Sequence, residues 1–95
     1  MLDDCRYARA HAALWRDTGV HVVALAPRAG ADVSVLGGGS ALLWRLLDEP
    51  LALQDINRKL QAAGAAPDDP DEVAKCLDDL VERGLVAWMI EEDEL

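Results

Sequence analysis

VHVVALAPRAGADVSVLGGGSALLW, residues 20–44, decides the fold. Residues 20–26 are short and valine-rich, which suits a pleated strand better than a helix. Val20, Val22 and Ala24 fall on one face of that strand, and His21, Val23 and Leu25 on the other. Both faces are apolar, as in the centre of a sheet. Pro27-Arg28-Ala29-Gly30 is a turn signal. Residues 32–36 alternate once more, with Val33 and Val35 on one side and Asp32, Ser34 and Leu36 on the other. That pattern predicts a half-buried strand.

Gly37-Gly38-Gly39-Ser40 follows and reads as a sharp corner from strand to helix. A glycine run before a helix can also cradle phosphate. No Lys-Ser or Lys-Thr comes after it, so the nucleotide-binding pattern is incomplete. The spacing then predicts a helix over 40–47. Ala41, Leu42, Leu43, Trp44, Leu46 and Leu47 leave it almost no polar side, so it should be buried. Asp48-Glu49-Pro50 ends it, because the residue before proline resists the helical region.

Upstream, residues 13–17 read as a first strand, closed by the turn Asp17-Thr18-Gly19. Residues 1–10 carry mixed charge with weak periodicity and are expected to be mobile; a short helix over 6–13 is the alternative, since alanine favours helix. Downstream, a second helix is predicted over 53–63. Leu53, Ile56, Leu60 and Ala63 form its apolar stripe, and Gly64 is its C-cap. Asp69, Pro70 and Glu72 announce a third helix running to Arg83, with Asp69 as cap and Glu72 completing a capping box. Val73, Cys76, Leu77, Leu80 and Val81 form its stripe. Residues 85–90 are a short apolar run, a brief strand or a packed tail, and 91–95 are an acidic end.

The expected fold is therefore α+β and winged helix-turn-helix-like: a three-stranded antiparallel sheet followed by three helices. Residues 1–12 form a flexible lead, 13–90 the domain and 91–95 the tail. At 95 residues, 52% of them hydrophobic, the chain suffices for one small core.

Charge narrows the partners. Eighteen acidic residues against nine basic ones give a net charge of −9. Nucleic acid and anionic membranes both recruit lysine and arginine, so neither is an expected partner. The third helix makes the point locally. As the second helix of a helix-turn-helix it would carry Asp71, Glu72, Asp78, Asp79 and Glu82 towards phosphates. Cys5 and Cys76 show neither zinc nor redox spacing, which fits reduced thiols in the cytoplasm. The first twelve residues have no apolar segment of the signal-peptide kind.

No catalytic constellation is visible. His11 and His21 lack neighbouring ligands at metal spacing, and Ser34 and Ser40 lack a base placed by any motif. The chain is expected to be no enzyme and to need no cofactor or metal. Trp44 reads as core, whereas Trp15 and Trp88 are candidates for partial exposure.

Three stretches carry a resemblance. They are Val33-Ser-Val-Leu36 with Leu42-Leu43-Trp44 after it, Pro50-Leu51-Ala-Leu53-Gln-Asp-Ile56, and the run from Asp71 through Leu77, Leu80 and Arg83 to Val86. In order and spacing these resemble PqqD-like proteins over residues 13–86. The chain departs from that pattern at Gly37 and Gly39, where the family often has Asn and Thr or Ser. The resemblance implies a peptide-recognition element. Such a protein binds the leader segment of a ribosomally made precursor peptide and presents it to a separate modifying enzyme or leader peptidase. It also implies that the leader adds as a strand between the third strand and the third helix, the mode called β-augmentation. Carried over by position, the docking strand is Asp32, Val33, Ser34, Val35 and Leu36. Val73, Cys76 and Leu80 would be an apolar wall, and Glu72, Asp79 and Arg83 would flank it and set register. The competing expectations are a winged-helix regulatory module acting through protein or DNA contacts, and a small subunit that only stabilises an enzyme.

Overall fold

The computed structural model describes residues 5–69 and 71–90. The expected mobility of residues 1–4 and the acidic end at 91–95 lie outside the described residues. The fold is α+β, with antiparallel sheet and three helices. Strands β2 (Leu14–Asp17), β3 (Val22–Leu25) and β4 (Ser34–Leu36) form a meander in the order β2-β3-β4. Helices α1 (Gly38–Leu46), α2 (Leu53–Ala62) and α3 (Asp71–Glu82) follow.

One expectation is overturned. Residues Cys5–Arg9, read as mobile or helical, form strand β1, which pairs antiparallel with β5 (Val86–Ile90). The register sets Tyr7 opposite Trp88. On its other side Tyr7 exchanges both backbone hydrogen bonds with Leu51, at 2.7 and 2.9 Å. A strand whose partners lie at residues 51 and 86–90 has no local signature, and the weak helical preference of alanine yields to that pairing.

Most of the core is built where the patterns placed it; Ala63, the last residue of the expected α2 stripe, is instead exposed at the helix end. Val22 and Ala24 of β3, Leu36 of β4, Ala41, Leu43 and Trp44 of α1, Ile56 and Leu60 of α2, and Val73, Leu77 and Leu80 of α3 are buried together. The helix ends follow the capping chemistry. The Asp69 carboxylate accepts the Asp71 N–H at 2.9 Å. Gly64 and Gly84 take positive φ after α2 and α3, where the Ala65 and Leu85 amides turn back to the Leu60 and Leu80 carbonyls.

The face of β4 that packs inward is the less apolar one. Leu36 is 3% exposed, whereas Val33 and Val35 are 60% and 62% exposed. Pairing decides this. Leu36 lies opposite Val22 and Ser34 opposite Ala24, and β3 sends Val22 and Ala24 into the core.

Candidate functional site

Strand β4 is an edge strand, since β3 alone pairs with it among the described residues. Which of its backbone groups face outward follows from the turn at the other end of β3. The Thr18 amide donates to the His21 carbonyl at 2.8 Å, so Thr18 and His21 are a hydrogen-bonded pair. Antiparallel ladders alternate bonded and non-bonded pairs. Along the observed register, Val23 therefore bonds to Arg16 of β2, and Val22 and Ala24 turn their backbone groups towards Leu36 and Ser34. Val35 lies opposite Val23 in a non-bonded pair. Its N–H and C=O point to the open edge, and no turn, loop or cap hydrogen bond among the described residues reaches them.

Two hollows lie along this side of the molecule. One is a cavity of 250 Å³ lined by Gly37 and Ser40 at the start of α1, by Leu60 and Pro67, and by Val73 and Cys76 of α3. The Ser40 Oγ and Cys76 Sγ of its lining are in hydrogen-bond contact, 3.2 Å apart. Glu72 stands at its rim, where Asp69 and Lys75 adjoin. The other hollow is open and runs along Ala31, Asp32, Val33, Ser34 and Val35, with Arg28 and Arg83 lining it as well.

The expected site residues are thus divided. Asp32, Val33, Ser34, Val35 and Arg83 share the open hollow, while Glu72, Val73 and Cys76 share the cavity. Asp79 is in neither; its carboxylate accepts from Arg83 Nε at 3.0 Å. Leu80 does not form part of an apolar wall for a guest, because its side chain is 0% exposed within the core. Leu36 likewise gives its side chain to the core and, by the alternation above, its backbone to β3.

Arg28 and Ser40 are lining residues that the carried-over pattern did not include. Ser40 could have been found from its place at the start of an apolar helix. Arg28 lies in a turn, and nothing local announces where its guanidinium goes. It lies against Gly84, where Nη1 is 3.3 Å from the position a β-carbon would take.

The outward side of α3 is acidic. Asp71, Glu72, Asp78, Asp79 and Glu82 are all exposed, with Lys75 and Arg83 among them. Among the described residues no group of three or more His, Cys, Asp or Glu side chains could hold a metal ion, and no helix is long and apolar enough to cross a membrane. Compared with protein-family models, curated proteins and solved structures, the chain matches none.

Proposed function

We propose that this protein is a non-enzymatic binder of the leader segment of a ribosomally made precursor peptide. It takes the leader as an added strand on β4 and presents it to a separate modifying enzyme or leader peptidase in the cytoplasm. The observation that carries the reading is the outward Val35 N–H and C=O on an open strand edge flanked by two hollows, one lined by α3 and the other by Arg83 just after it. An extended peptide supplies the missing donors and acceptors, and its alternate side chains enter the hollows. The order and spacing that resemble PqqD-like proteins support the same reading. The exposed carboxylates of α3 weigh against a DNA-reading role, since that helix would face phosphates.

Calorimetric titration with leader peptides tests it. Binding of roughly micromolar strength or better is expected for a cognate leader. The Val35→Pro variant, which lacks the outward donor, should lose it while its circular dichroism stays native. Undiminished binding by a folded Val35→Pro variant would refute the edge as the site.

A further inference from the structure

The open hollow beside β4 is lined by charge opposite in sign to the net charge of the chain. The chain carries a net charge of −9, yet two arginines, Arg28 and Arg83, line this hollow against a single carboxylate, Asp32. Arg83 is already shared with Asp79 through an exposed contact of 3.0 Å. Arg28 is different. No carboxylate among the described residues pairs with it. Its side chain is exposed in the turn after β3, and its guanidinium lies near Gly84, where the absence of a side chain leaves it room. A planar cation with five donors, beside a strand edge and with no carboxylate paired to it among the described residues, is suited to a carboxylate on whatever pairs with that edge.

Resting on the strand-addition reading, we infer that the guest strand carries an aspartate or glutamate that binds Arg28 and Arg83 where it passes the start of β4. This contact sets the register of the guest. Main-chain pairing alone permits slippage, and a slip of one residue turns every guest side chain to the opposite face. At the opposite end of the edge the carboxylates of Glu72 and Asp69 outnumber the one cation there, Lys75, so an acidic side chain is less favoured than beside the two arginines. The guest therefore meets two arginines and one carboxylate at one end of its path, and two carboxylates with one lysine at the other.

A displayed library of random peptides, panned on the full chain with Val35→Pro as counter-selection, yields guests that need the open edge. Those guests should share an acidic residue at one position. A synthetic peptide of the enriched sequence should bind Arg28→Ala about fivefold more weakly, the upper range for a partly exposed ion pair. Its amide analogue, Asn or Gln at that position, should bind both proteins alike. Panning on Arg28→Glu should replace the acid by Lys or Arg at the same position, which an arginine that only packs near Gly84 could not bring about. If Val35→Pro does not fold, protection of the Val35 amide from exchange on binding identifies the edge-bound guests instead. Edge-dependent guests with no acidic preference, and equal affinity for Arg28→Ala, would overturn the inference and leave strand addition standing. An absence of edge-dependent guests would remove both.

Discussion

The guanidinium of Arg9 lies 4.4 Å from the centre of the Trp15 ring, and its Nε donates to the Trp44 carbonyl at 2.9 Å. Arg9 is on β1, Trp15 on β2 and Trp44 in the last turn of α1, so one side chain ties the smaller sheet to the larger one and to the helix between them. The indoles of Trp15 and Trp44 meet edge to face, 5.8 Å between centroids. A cation at a helix C-terminus also complements the carbonyls exposed there. Arg9→Ala should cost about 1–3 kcal/mol in urea denaturation, the combined scale of a charged hydrogen bond and a cation–π contact. Arg9→Lys should recover only part of it, because an ammonium cannot stack flat on one ring and reach a carbonyl as a fork does. An Arg9→Ala protein as stable as the parent would show that the two sheets are not coupled through this side chain.

Next to this junction, Arg45 donates twice to the Asp17 carboxylate, at 2.7 and 2.9 Å. These bonds, the Gly19 amide and the charge of Arg9 hold Asp17 at a pKa of about 2, against 3.8 for a free side chain. The sign follows from linkage. A carboxylate depressed in the folded state contributes stability above its unfolded value, and the contribution disappears as pH falls from 3.8 through about 2. Asp17→Asn should flatten the loss of stability across that acid window and leave the slope near neutrality unchanged. Denaturant midpoints measured through the window check it, as does added salt, which should weaken so exposed a pair.

What was legible beforehand was what is local. The β3–β4 turn, the glycine corner and the stripes of α2 and α3 each reside in a few consecutive residues, and the structure places them within a residue or two of expectation. β1 was not legible, because the pairing that makes Cys5–Arg9 a strand comes from Leu51 and Val86–Ile90. The site divides in the same way. A strand here was legible from the alternation of residues 32–36, although only Ser34–Leu36 pair; that it ends the sheet comes from the order β2-β3-β4. The withdrawal of Leu80 into the core depends on packing of the whole domain, and the setting of Arg28 depends on a bare glycine at residue 84.

The glycine corner contains two residues with opposite requirements. Gly38 sits at φ +54, a left-handed conformation that costs an ordinary residue about 1–2 kcal/mol. Gly39 has no positive φ, lies inside α1, and a β-carbon there would meet nothing within 4 Å. Gly38→Ala should therefore lower stability by about 1 kcal/mol, whereas Gly39→Ala should raise it by about 0.5–1 kcal/mol through helix propensity. Thermal unfolding of the pair tests whether the turn into α1 is set at residue 38. Equal effects of the two alanines would place the special backbone elsewhere.

The inverted face of β4 separates its structural role from its binding role. Leu36 is buried in the core opposite Val22 of β3, so Leu36→Ala should cost about 2–5 kcal/mol. The Val35 side chain stands in solvent, so Val35→Thr should change stability by less than about 0.5 kcal/mol. Threonine keeps the backbone N–H that points to the open edge, and it suits a strand as well as valine does. Val35→Thr should therefore hold a leader peptide with nearly parental affinity, while Val35→Pro, altered at the same position, should not. Urea denaturation and calorimetry on the two variants together make the distinction. If threonine abolished binding as proline does, the guest would be recognising the valine side chain on the sheet face, and the backbone edge would not be the primary contact.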